Sequence, residues 1–154
     1  MCVPYVEGDK DGLFTAALIR AVTTSGCWVY GGSGGDLVLK VSLLPPEDLT
    51  IGYIFAPPDR DDHLFKNTIV SQEARLILAA NVVLVERGTG KTLFGPLTVG
   101  RYLDYDYEPD LSNKDLNAFS LGQLEMHNLA QDAAFPALYT LLAEKIVDYV
   151  NKGW

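Results

Sequence analysis

The sequence predicts an α+β fold in which helices cover one side of a sheet. Two segments alternate apolar and polar residues over strand lengths, and two others repeat apolar residues at helical spacing. No segment approaches the ~20 apolar residues that a membrane-crossing helix needs. The elements read in the order β-α-β-β-β-α. With 154 residues, 48% of them apolar and 21% charged, one domain over residues 1–154 with its own core is expected.

Residues 3–6, Val-Pro-Tyr-Val, are short and apolar and suit a buried strand. Residues 7–12 carry turn chemistry, with Asp11 as the expected helix N-cap. Leu13, Phe14, Ala17, Leu18, Ala21 and Val22 then form one helical stripe, which Gly26 ends. Residues 27–30 read as a second brief strand, after which the glycine-rich run 31–35 breaks the chain.

Alternation is clear next. Leu37, Leu39, Val41 and Leu43 point one way, while Asp36, Lys40 and Ser42 point the other. Residues 73–87 are longer and sharper: Ala74, Leu76, Leu78, Ala80, Val82 and Leu84 make one wholly apolar face. The opposite face carries Glu73, Arg75, Asn81 and Arg87 among Ile77, Val83 and Val85. Strands that bury one face and leave the other mixed describe a sheet with helices on one side. Residues 87–91 form a hairpin turn into a third long strand, 92–107, while 51–55 prolong the hairpin inside the long connection 45–72. Leu129, Ala133, Leu138, Leu141, Leu142, Ile146, Val147 and Val150 mark a C-terminal helix that Pro136 is expected to kink or restart.

The formal charge of −8 argues against a sequence-independent grip on nucleic acid. Gly88-Thr89-Gly90-Lys91-Thr92 looks like part of a phosphate loop, but Val85 stands where the signature needs glycine and a strand follows instead of a helix. The run 31–35 likewise precedes no helix, so dinucleotide binding is not expected. Asp104, Asp106 and Glu108 share one strand face and could take a hard cation, although Tyr105 and Tyr107 alternate with them as in an ordinary solvated strand. Asp59-Arg60-Asp61-Asp62-His63 reads as an exposed turn, His127 as a surface or capping residue, and Ser25, Ser33 and Ser71 lack a nucleophile-elbow context. No enzyme, no metal site and no cofactor is expected.

Cys2 and Cys27 would sit at strand starts on one sheet edge if residues 2–6 and 27–30 were neighbouring parallel strands. An oxidising compartment could then join them; two half-buried free thiols are the equal alternative. Met1 leads straight into the first strand with no basic or hydrophobic leader. The expectation is either a cytosolic protein or a leader lying upstream.

Several stretches carry a family likeness: Val3-Pro4-Tyr5-Val6 with its helix, Asp36-Leu37-Val38-Leu39-Lys40-Val41, and Ile51-Gly52-Tyr53. To these are added Glu73-Ala74-Arg75 through Val83-Leu84-Val85-Glu86-Arg87 to Thr89-Gly90-Lys91, and the tail from Leu138 to Ile146-Val147 with Trp154. Together they resemble LptE, the lipopolysaccharide-assembly lipoprotein family, over nearly the full length. The same grammar occurs in envelope lipoproteins that activate cell-wall synthases and in secretion-pore subunits.

The resemblance implies a two-layer sandwich, a four-stranded mixed sheet with two helices packed on one face. It implies a non-catalytic part in lipopolysaccharide transport, with residence inside an LptD-like outer-membrane β-barrel as a plug. It also implies an N-terminal lipid anchor at the periplasmic face of the outer membrane. The signal peptide and lipobox are then expected upstream of Met1, with Cys2 too close to the first strand to be the anchor. Lipopolysaccharide binding in such a family implies basic residues near one end of the sheet, here Arg60, Lys66, Arg75 and Lys114. Solubilising surface charge is the equal alternative for all four.

Overall fold

The computed structural model describes residues 1–55, 69–107 and 121–153. Its elements are helix α1 (Leu13–Thr24), strands β1 (Leu37–Leu43), β2 (Glu47–Phe55), β3 (Ile69–Glu86) and β4 (Thr92–Asp106), and helix α2 (Leu121–Gly153). The fold is α+β, with an open four-stranded sheet and two helices, as the sequence implies. β3 is the central strand: β1, β2 and β4 all pair with it. β1 runs antiparallel to it, with Val41 opposite Val82 and Leu43 opposite Ala80.

The parallel pairing seen here belongs to the N-terminal segment, outside the four strands. Residues 2 and 7 make isolated parallel bridges to Val38 and Ser42 instead of forming a strand. Pro4 lies between them and has no N–H to give to a ladder. Residues 27–30 form no strand either; the Met1 ammonium donates to the Val29 carbonyl at 2.6 Å, and Gly31 N–H donates to the Met1 carbonyl at 2.9 Å. The neighbour of residues 2–7 is therefore β1, and the condition for a Cys2–Cys27 pairing, parallel strands at 2–6 and 27–30, is not met.

Packing gathers the chain into two compact units. The first comprises Met1–Glu47, Ile77–Tyr102 and Phe135–Trp154. Its core takes Phe14, Leu18 and Val22 from α1, Leu39 and Val41 from β1, Leu78, Val82 and Leu84 from β3, and Leu138, Leu142 and Ile146 from α2. Each such side chain contributes roughly 2 kcal/mol on removal from water. The alternation of β3 and the 3.6-residue stripes of both helices meet here, and Phe14 stands edge-on to Tyr139 with centroids 5.5 Å apart.

The start of α1 corrects the expected cap. Gly12, not Asp11, is the N-cap residue, at φ +72°, a left-handed conformation that glycine adopts without steric cost. The carboxylate that serves the helix is Asp9: its Oδ2 accepts from the Thr15 N–H at 2.7 Å and from the Thr15 hydroxyl at 2.6 Å. Thr15 Oγ1 in turn accepts from the Val6 N–H at 3.1 Å. Asp9 and Thr15 are the buried polar residues of the described chain, and each is satisfied by the other.

Pro136 neither ends nor restarts α2, which runs through it. The Thr140 hydroxyl donates to the Pro136 carbonyl at 3.0 Å. Leu129 and Ala133, expected in the helix's apolar stripe, are exposed, Leu129 at 64%. The buried stripe begins at Ala134 and continues through Leu138, Leu142, Ile146 and Val150.

β4 carries a bulge. Glu86 N–H bonds the Lys91 carbonyl, yet Gly100 lies beside Ala79. β4 thus advances two residues further than β3 across that span, and Gly95-Pro96, joined by a cis bond, sits within it. The second unit comprises Asp48–Leu76 and Leu103–Ala134. Ala74, Leu76 and Ala134 are its buried apolar residues among those described. No helix among the described residues is long and apolar enough to cross a membrane.

Candidate functional site

A polar cluster occupies the second unit. Asp48, the second residue of β2, directs Oδ2 at three donors from two other elements. The Tyr105 hydroxyl donates to it at 2.8 Å, Gln131 Nε2 at 2.9 Å, and His127 Nε2 lies 2.7 Å away. Tyr105 belongs to β4, whereas His127 and Gln131 stand four residues apart on α2 and so share a face. Tyr107 meets the His127 ring edge-on at 4.8 Å, and its hydroxyl donates to Ser71 Oγ.

Its hydrogen bonds make this cluster a clasp between elements. The Tyr105 hydroxyl is pushed well above the usual phenol range, first by burial and then by its hydrogen bond to the Asp48 carboxylate. Ser71 bonds Tyr107 instead of the imidazole, so the described residues assemble no serine–histidine pair. What the arrangement does is tie β2, β4 and α2 together through one carboxylate.

Arg75 is the one basic residue of the sequence-derived set whose position is described. Its Nε and Nη2 donate to Asp104 Oδ1 and Oδ2 at 2.6 and 2.8 Å, a bidentate pair with side chains 35% and 34% exposed. The Arg75 hydrogen bond holds the Asp104 carboxyl below the usual carboxylate range. An anionic ligand at Arg75 would compete with this partner. Arg60, Lys66 and Lys114 lie outside the described residues. So does Glu108; of the other two carboxylates in that row, Asp104 is paired with Arg75. Among the described residues no group of three or more His, Cys, Asp or Glu side chains could hold a metal ion.

Cys2 is buried and Cys27 exposed, both as free thiols. In the first unit a shallow groove of about 230 Å³ runs between α1 and α2, lined among others by Leu13, Ala17, Arg20, Tyr139 and Glu144. It is open to solvent and collects one cation and one carboxylate. Burial, and then the charges of Asp9 and Asp11, push the Tyr139 phenol up.

The clasp was not legible in the sequence. Asp48 is 57 residues from Tyr105 and 79 from His127, so no local spacing joins them. The only cue was composition: a Tyr-Asp-Tyr alternation late in the chain and a lone histidine on a helix.

No protein-family model matches the sequence, and no curated protein does. Solved structures share the fold. The rare lipoprotein B from Shewanella oneidensis aligns over 99% of this chain and 95% of its own, at 14% identity and a TM-score of 0.57. A protein from Caulobacter crescentus described as a lipoprotein aligns over 98% of this chain and 88% of its own, at 13% identity and a TM-score of 0.53. The chain therefore has the fold of these bacterial lipoproteins.

Proposed function

We propose that this chain is the folded domain of an LptE-like envelope lipoprotein: a non-catalytic component of lipopolysaccharide transport that binds lipopolysaccharide and occupies the lumen of an LptD-like β-barrel. The observation that carries the reading is the match of fold, nearly end to end, with the Shewanella rare lipoprotein B. It agrees in kind with the loose sequence likeness around β1, β3 and the hairpin. An outer-membrane location, at the periplasmic face through an N-terminal lipid anchor, belongs to the same proposal.

Within this reading Arg60, Lys66, Arg75 and Lys114 supply cations for lipid phosphates. The described part of the second unit opposes them with Asp48, Glu73, Asp104, Asp106, Glu125 and Asp132, against Arg75 as its one lysine or arginine. Affinity would then depend on the few cations present and should fall steeply with salt.

Calorimetric titration of the chain with purified lipopolysaccharide tests the binding. Saturable heat that weakens by about tenfold in Lys66→Asp/Lys114→Asp, a change of one decade in affinity, is the expected result. Unchanged binding by a folded double variant would remove those residues from the site. Co-purification with an epitope tag tests the partner: an outer-membrane barrel supports the reading, and a cell-wall synthase or secretion pore in its place overturns it.

A further inference from the structure

We infer that the outer edge of β2 is a docking site for an extended segment of a partner protein, which would join the sheet as an added strand. The inference rests on how differently the edges of this sheet are treated, and it stands whether or not the chain handles lipopolysaccharide.

A strand edge exposes unpaired N–H and C=O groups, and folded proteins normally blunt it with proline, lysine, a bulge or a covering segment. Two edges here follow that rule. β1 is covered on its outer side by the N-terminal segment: Cys2 N–H bonds the Leu37 carbonyl at 2.6 Å, and Leu43 N–H bonds the Glu7 carbonyl at 2.8 Å. β4 carries Pro96 and its bulge, and the Lys145 ammonium donates to the Gly100 carbonyl at 2.8 Å.

Among the described residues β2 shows none of these devices. It ends the pairing order β1-β3-β2, and its nine residues, Glu-Asp-Leu-Thr-Ile-Gly-Tyr-Ile-Phe, contain no proline and no lysine. No hydrogen bond or bridge from another described segment reaches its outer side. β3 is the one strand of the sheet with which β2 is paired.

The strand is also held ready. Asp48 ties its start to Tyr105, His127 and Gln131, and Gly52 allows an approach to Glu73 too close for a Cβ. Leu49, Ile51 and Tyr53 alternate along it and are exposed at 48%, 39% and 61%. The occupant that fits is an extended strand: backbone groups for the ladder, apolar side chains at every second position beside Leu49, Ile51 and Tyr53, and a basic residue near exposed Glu47.

The probe is a synthetic nine-residue peptide of alternating valine and threonine with a lysine at each end, together with its copy N-methylated at alternate amides. Amide hydrogen exchange of the full chain is followed at residues 47–53. The plain peptide should slow exchange there by about tenfold relative to the N-methylated copy. Ile51→Lys should abolish the slowing while leaving the thermal midpoint within about 2 °C. Three results overturn the inference. They are equal effects of both peptides, no effect of either at millimolar concentration, and residues 47–53 already protected in a dimer of the chain without peptide.

Discussion

His127 Nε2 lies 2.7 Å from Asp48 Oδ2, joining α2 to the first residues of β2 across 79 positions of sequence. The same oxygen receives Tyr105 and Gln131, so removing the carboxylate orphans three groups at once. Asp48→Ala should cost about 2–3 kcal/mol, the usual range when a charge-assisted hydrogen-bond set is lost. Asp48→Asn keeps one acceptor oxygen and should cost less. Urea melts report both as lowered midpoints at constant slope. A double-mutant cycle with His127→Ala should give a clear coupling, and strict additivity would show that the two side chains do not interact.

Tyr105 gives the clasp a pH signature. The folded chain raises this phenol above its ordinary value through burial and the Asp48 carboxylate. The stabilisation is therefore complete below about pH 10, the unfolded phenol's value. It declines as pH rises beyond that point, because the unfolded chain releases the proton first. Denaturation between about pH 9 and pH 11 should show stability falling in the parent. Tyr105→Phe should be less stable at neutral pH with a shallower alkaline decline. Equal alkaline slopes would place the proton linkage elsewhere.

How much of this could be read from the sequence follows from the range of each interaction. The even positions of β3 from Ala74 to Leu84 announce a buried face by period alone, and every one of them is buried. The α1 stripe was legible in part: Phe14, Leu18, Ala21 and Val22 are buried, whereas Leu13 is exposed. Residues 3–6 looked like a strand but pair only at their flanks, since Pro4 interrupts the ladder. Leu129 has the spacing of the core stripe yet faces solvent: periodicity marks a face of a helix, not whether anything covers it. Asp48 lay beyond reach altogether, since its partners come from two elements distant in sequence and the local run Pro45-Pro46-Glu47-Asp48 carries no pattern that points to them.

Buried Asp9 and Thr15 offer a sharper test of a local motif. Thr15→Val preserves shape but leaves the Asp9 carboxylate without its hydroxyl donor and the Val6 N–H without an acceptor. The expected loss is about 2–3 kcal/mol, set by unsatisfied buried groups. Thr15→Ser keeps the hydroxyl and should lose well under half of that. Asp11→Ala, at the position the sequence pattern favours for the cap, should leave the midpoint nearly unchanged. If Asp11→Ala proved the more damaging, Asp9 would not be what serves this helix end.

Gly52 decides how closely β2 can lie against β3. A Cβ built there would stand 2.7 Å from Glu73 Cβ and 2.9 Å from Glu73 Oε2. The first of these is a branch point fixed to the backbone, so the strands must move apart. Gly52→Ala should cost about 1–3 kcal/mol as an overpacked contact. Exchange of the β2 amides that face β3 should quicken more than exchange elsewhere in the sheet. Adding Glu73→Gly removes the opposing Cβ and should recover much of the closeness, although the glycine introduced at 73 carries its own backbone penalty of roughly 1 kcal/mol. The distinguishing readout is therefore the local exchange at β2, which the pair should return toward the parent's. If the double variant exchanged as fast as Gly52→Ala, the tight approach to Glu73 would not be what holds β2 in place.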